Sequence, residues 1–236
     1  MTRTSLFVAL ALALPATGAF AQNANPDISW SYFDIGLQRV APDSSDLDDA
    51  NGFAIRGSGA INANWHVFLG YNRSQLEGGR AFSAEGGLPG VVGIDDDFDR
   101  YNIGIGYNLP IAGATDLFVR AAYERAGSAD FTVLVGDLPP QTAKLDSTDG
   151  YSVEVGVRSA FTPRFEGGAS VRYVTYDDPD VRIGDQRVET AGLVSDSATS
   201  LVLNGQYKFG NGWGVIGEGE INSEYNALFV GARLSY

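Results

Sequence analysis

His66 is the only histidine in a chain without cysteine, so acid–base or nucleophilic chemistry would have to rest on that imidazole or on carboxylates and hydroxyls. Two acid runs, Asp95-Asp96-Asp97 with Asp99 and Asp177-Asp178 with Asp180, offer the oxygen ligands that Ca²⁺ and Mg²⁺ prefer. Neither has EF-hand spacing, and runs of like charge ordinarily face water. A third set says more. Arg120 and Glu124, Glu154 and Arg158, and Glu166 and Arg172 fall on alternate positions of segments whose other positions are apolar. In "DGYSVEVGVRSAFTPRFEGGASVRYVTY" (149–176) the odd positions of the first arm carry Tyr151, Val153, Val155 and Val157. A period of two marks strands with one apolar and one polar face. The polar face could meet bulk water or a polar interior.

Ten such segments follow Trp30, at roughly 30–40, 51–62, 65–75, 98–109, 116–126, 149–161, 165–176, 197–209, 213–223 and 227–236. Most exceed the roughly 5–6 residues of a soluble-protein strand and suit a tilted strand crossing a bilayer, which takes about 9–11. Their connections alternate. Asn62-Ala63-Asn64, Leu109 to Thr115, Thr162-Pro163-Arg164 and Gly210-Asn211-Gly212 have the Asn, Gly and Pro chemistry of tight turns, and a fifth tight turn lies at Ser223. The connections at 41–50, 76–97, 127–148 and 177–196 are long and acidic. Short turns at one end, long loops at the other and an even strand count predict an all-β, closed, antiparallel up-and-down barrel in the outer membrane. Both termini then face the periplasm. Ten strands are expected, with eight as the alternative.

The two faces point to lipid outside and charge inside. The apolar set gathers Trp and Tyr at segment ends and aliphatics in the middle, as Trp65, Tyr107, Tyr123, Val155 and Leu203 illustrate, which fits two interfacial girdles around a lipid band. The opposite set holds Arg56, Arg100, Arg120, Glu124, Glu154, Arg158, Glu166, Arg172, Lys208, Glu218, Glu220 and Arg233, with Asp34 as a further acid. Near balance of sign is what an enclosed interior requires, because each buried charge needs a partner. These residues are expected to form a structural ion-pair network. Glycines inside the strands, namely Gly57, Gly59, Gly104, Gly106, Gly167, Gly168, Gly217 and Gly219, are expected to permit curvature and leave room for the facing Arg and Glu side chains.

Residues 1–21 have the form of an export signal: Arg3, an apolar core from Leu6 to Leu14, and Ala19-Phe20-Ala21 as the cleavage box. Residues 22–236 are then a single barrel domain. The net charge of −13 becomes −14 once Arg3 is cleaved away without any acid, which excludes nucleic-acid binding through the overall field.

"WHVFLGYNRSQ" (65–75), "YNIGIGYN" (101–108), "TDLFVRAAYER" (115–125), "DGYSVEVGVRSAFTPRFEG" (149–167) and "ALFVGARLSY" (227–236) resemble the small outer-membrane β-barrels of gammaproteobacterial type. More closely they resemble the subgroup described as sulfation-dependent quorum factor or diffusible-signal-related outer-membrane protein. The likeness lies in strands and periplasmic turns, and the long loops have no counterpart. It implies an outer-membrane location, release in vesicles and a role in virulence or motility signalling, and it brings no catalytic residue. The final strand, ending on Tyr236, resembles the signal read by the barrel assembly machinery.

His66 lies just past the turn at 62–64, at the periplasmic end, whereas outer-membrane hydrolases work at the other. It is expected to cap the lumen with a hydrogen bond. No catalytic residue, cofactor or metal is expected. The reading is a non-enzymatic, largely plugged, monomeric barrel surrounded by outer-membrane lipid and lipopolysaccharide, presenting acidic loops for envelope structure, adhesion, virulence or signalling. The alternative is a narrow porin-like channel for small solutes or ions.

Overall fold

A computed structural model describes residues 28–43, 48–83, 89–136, 139–178, 180–183, 186–188 and 197–236. The export signal at 1–21 lies outside them. Alternating sequence becomes strand almost throughout: β1 (Tyr32–Pro42), β2 (Ala50–Ala60), β3 (Trp65–Ser83), β4 (Pro89–Ala112), β5 (Thr115–Ala126), β6 (Ala129–Val135), β7 (Gln141–Leu145), β8 (Thr148–Thr162), β9 (Phe165–Tyr176), β10 (Val181–Ile183), β11 (Gln186–Val188), β12 (Ser197–Gly210), β13 (Trp213–Ile221) and β14 (Tyr225–Ser235). Ten of them, β1 to β5, β8, β9 and β12 to β14, pair antiparallel in chain order. β1 closes the ring by pairing with β14 from Tyr32↔Ser235 to Pro42↔Tyr225. The barrel has ten strands, not eight.

The tight turns use side chains as backbone mimics. Asn62 Oδ1 accepts from the amides of Asn64 and Trp65 at 3.0 and 2.9 Å, Thr162 Oγ1 from Arg164 and Phe165 at 3.2 and 2.9 Å, and Asn222 Oδ1 from Glu224 and Tyr225 at 2.8 and 2.9 Å. Gly210, Asn211 and Gly212 all have positive φ, at 125°, 52° and 80°. The first and third positions favour glycine, and asparagine tolerates the second. The turn expected over Leu109 to Thr115 is tighter than the sequence suggested. β4 runs through Pro110 to Ala112 with an irregular register, and only Gly113-Ala114 remains between the strands.

The expected long loops differ more. Residues 76–83 and 89–97 extend the β3–β4 hairpin well past the neighbouring strands, with register from Leu76↔Asp96 to Ser83↔Pro89. Gly90–Ile94 then pairs with β6, and β6, β7, β10 and β11 follow side by side. Most of the described residues of 76–97 and 127–148, together with 181–183 and 186–188, therefore form sheet standing beyond the membrane. Its sequence reads as loop because neither face meets lipid, so no apolar alternation is imposed.

Exposed apolar residues mark the outer wall. Val119, Val155 and Val171 stand side by side across β5, β8 and β9, and all three are open on the outer face. The glycine expectation holds on one face only. Gly104, Gly106 and Gly168 have inward parity, and an added Cβ at Gly106 would run into the His66 ring. Gly57, Gly59, Gly167, Gly217 and Gly219 point outward instead. Directly paired residues share a face, and these glycines pair with outward residues such as Val67, Val230 and Leu228. Their odd parity with Ile55, Phe165 and Val215 already assigned them to the lipid side.

Gly106→Ala should destabilise the barrel by about 1–3 kcal/mol through overpacking. His66 is fully buried and stacked on Trp30, so it cannot swing aside. Urea unfolding in lipid vesicles, compared with the outward Gly217→Ala where nothing lies near the new methyl, measures the difference.

Candidate functional site

The interior is built from three groups of side chains, each placed by strand register. Arg233 on β14 lies directly across from Asp34 on β1. Its Nε and Nη2 donate to the two carboxylate oxygens at 2.6 and 2.7 Å, and its guanidinium lies 3.8 Å from the Tyr32 ring centre. Arg158 on β8 donates from Nε to Glu166 Oε2 at 3.0 Å, and Lys208 on β12 pairs with the same carboxylate. Higher in the lumen, Arg56 donates to Glu218 at 2.7 Å, and Arg172 lies 3.8 Å from Glu154 and 3.3 Å from Glu220. Arg100 is 3.9 Å from Glu124, and Arg120 is 3.9 Å from Glu154. Each of the twelve residues singled out from sequence, and Asp34 with them, thus has an interior partner of opposite sign.

One acid was missed. Asp116 is fully buried on β5, where it accepts from the Trp30 indole Nε1 at 2.8 Å. With it the described interior holds seven bases and seven acids. The parity of Asp116 with Phe118, Arg120, Ala122 and Glu124 carried the signal, but its place beside a turn hid it.

Trp30 was expected to begin the first strand. It lies below the start of β1 and turns into the periplasmic mouth, 1% exposed. Its ring stacks on His66 at 4.6 Å and meets Phe118 edge-on at 5.5 Å, with Ile28 and Ala60 completing an apolar cluster. The guanidinium carbons of Arg120 and Arg158 lie 5.3 and 5.1 Å from the ring centre. The surrounding backbone is tied on all sides. Ser58 Oγ donates to Trp30 O at 2.7 Å, Arg158 Nη1 to Ser29 O at 2.9 Å, Ala60 N to Ser31 Oγ at 3.1 Å, and Tyr236 N to Ser31 O at 3.1 Å.

His66 sits inside this seal. Arg120 Nε donates to its Nε2 at 3.2 Å, so that nitrogen is an acceptor and the ring is a neutral packing group. Above the seal a cavity of about 270 Å³ extends past the ion pairs to Val40, Ala50 and Leu76 near the extracellular strand ends.

The acid runs do not converge. Asp97 pairs with Arg73, Asp99 accepts from Tyr71 Oη at 2.8 Å, and Asp96 accepts from the amides of Asp97 and Asp130, each at 2.8 Å. Among the described residues no three acidic or histidine groups come together as a metal site.

Against known families, residues 6–193 match the model described as outer membrane protein beta-barrel domain. The chain belongs to that family. The match runs from ahead of β1 to the residues before β12, and it establishes an outer-membrane β-barrel. Among solved structures, the outer membrane protease OmpT from Escherichia coli is 10% identical, covers 87% of this chain and 96% of its own, and has a TM-score of 0.53. That likeness shows the barrel fold alone. The attachment invasion locus protein Ail of Yersinia pestis, solved with the heparin analogue sucrose octasulfate, is 17% identical over 86% of this chain and 97% of its own, at a TM-score of 0.37. The transport unit of the Escherichia coli autotransporter AIDA-I is 9% identical over 98% and 97%, at 0.45. No curated protein sequence matches the chain.

Proposed function

We propose that this chain is a non-enzymatic outer-membrane barrel, closed at its periplasmic end, whose role is carried by the acidic sheet and loops on the cell surface. The observation that carries this reading is the seal of Trp30, Ile28, Phe118 and His66 across the periplasmic mouth. A balanced set of ion pairs above it supports the same reading, since paired charges hold one another and leave little freedom to conduct. The sole histidine is buried in the seal, far from where an extracellular substrate would meet it, which argues against hydrolysis. The export signal at 1–21 is cleaved, the barrel is monomeric in lipid and lipopolysaccharide, and the assembly machinery reads the final strand. Placement in the diffusible-signal-related subgroup rests on the strand and turn segments alone, and adhesion or motility roles belong to the outer sheet. A narrow channel is the second reading, favoured by the charged cavity above the seal.

Planar-bilayer recordings separate the two. The wild type should give no stable unitary conductance, and Trp30→Ala should open discrete steps while Trp30→Phe stays silent. Stable conductance from the wild type would establish the channel. Deletion of 129–145 from the outer sheet, scored for adhesion and motility with the barrel intact by heat-dependent gel mobility, tests the surface role.

A further inference from the structure

A second hollow, of about 230 Å³, adjoins the cavity above the seal toward the extracellular side, and the two meet at Phe98, Arg100 and Tyr225. Its wall is mostly apolar, built from Phe98, Ala126, Leu145 and Val174 with the rings of Tyr176 and Tyr225. The charges lie at its two ends. Asp146, Asp177, Asp178 and Glu224 line it, all of them beyond the ends of the barrel strands. Among its described lining residues the single base is Arg100, at the neck.

The partners of these groups decide what the hollow can hold. Asp146 is taken by Arg182 at 2.7 Å. Asp177, Asp178 and Glu224 are exposed, and among the described residues no ion pair engages them. Their backbone is held, Asp177 N donating to Asp149 O and Glu224 N to Asn222 Oδ1, each at 2.8 Å. Three unpaired carboxylates around one opening draw a cation to it. Arg100 is placed differently. Among the described residues Glu124 alone has a carboxylate within ion-pair reach of it, at 3.9 Å, which is too long for a hydrogen bond, and Glu124 does not line the hollow. Glu220, across the neck, is engaged by Arg172 at 3.3 Å and by Tyr225 Oη at 3.0 Å. The Arg100 side chain keeps 22% of its surface open, so its guanidinium has donors to offer a further acceptor. A cation alone would meet Arg100 at the inner end, and an anion alone would have to pass the three free carboxylates. A molecule positive outward and negative inward meets neither obstacle. The volume lies below the roughly 300–1,000 Å³ of drug-sized pockets, which keeps the molecule small, and the apolar wall favours a hydrocarbon side chain.

We propose that the upper hollow binds a free α-amino acid with an aliphatic side chain. Its carboxylate accepts from Arg100, as guanidinium–carboxylate pairing favours. Its ammonium faces Asp177, Asp178 and Glu224, and its side chain packs among Phe98, Leu145 and Val174. The site goes beyond the surface role proposed above and does not depend on whether the lumen is closed below.

The test uses the full barrel in non-ionic micelles at pH 7, with L-leucine as probe. Two comparators each lack one of its charges: 3-methylbutylamine has no carboxylate, and 4-methylpentanoate has no ammonium. Saturation-transfer NMR should show saturable leucine binding, with each comparator weaker by tenfold or more. Asp177→Asn, Asp178→Asn and Glu224→Gln together lie outside the strands and leave heat-dependent gel mobility unchanged, and they should weaken leucine several-fold. Arg100→Gln should abolish its saturation. If that variant does not assemble, the acid substitutions and the two comparators decide. Absence of saturable leucine transfer would overturn the proposal. So would an amine or a carboxylate that binds as well as leucine, or leucine binding that survives the loss of all three acids.

Discussion

Asp34→Ala should cost about 3–5 kcal/mol of barrel stability, because it strands the Arg233 guanidinium in a closed interior. Arg233 is 6% exposed, and both of its donations to Asp34 are shorter than 2.8 Å. Its remaining partners, Gln206 Oε1 at 3.3 Å and the face of Tyr32, carry no negative charge. The pair also bridges β14 and β1, so its loss weakens the ring where the two ends of the chain meet. Urea unfolding in lipid vesicles, followed by tryptophan fluorescence, measures the cost. Removing both charges in Asp34→Leu with Arg233→Met should restore most of the stability, since replacing a buried pair by apolar groups of similar size is often neutral or favourable. A loss below about 1 kcal/mol for Asp34→Ala would mean that the pair is well hydrated and the lumen open.

Val155→Arg, on the opposite face, should cost about 2–4 kcal/mol, and an arginine at Tyr151 near the extracellular girdle only about 0–1. The contrast follows from depth. Val155 stands between Val119 and Val171 in the middle of the lipid band, whereas Tyr151 lies beside Tyr123, whose hydroxyl donates to Asp149 at 2.5 Å. If the two substitutions cost the same, the outward face is not a graded hydrocarbon slab and the assignment of inside and outside fails. The same unfolding measurement, with heat-dependent gel mobility as the assembly check, decides it.

Much of this architecture could be read from residue types alone. Period-two alternation located all ten barrel strands, and the contrast between Tyr151 to Val157 and Glu154 to Arg158 assigned the faces, because lipid and a polar lumen impose opposite demands on successive residues. Partner identity was not legible. Asp34 and Arg233 are 199 positions apart, and nothing in either segment names the other until closure fixes the register. Trp30 was hidden differently: at the head of the first alternating segment it reads as a strand residue, and only the narrow barrel end shows that it turns inward. The outer sheet was hidden because strands wetted on both sides leave no periodic trace.

The seal at the periplasmic mouth accepts hydrogen bonds from Ser58 and Ala60 on β2, Arg158 on β8 and Tyr236 beyond β14, and donates one to Asp116 on β5. These groups come from strands all around the ring, so the cork is held in full only when the circumference is complete, and a barrel with an open seam would leave its arginines and carboxylates wet.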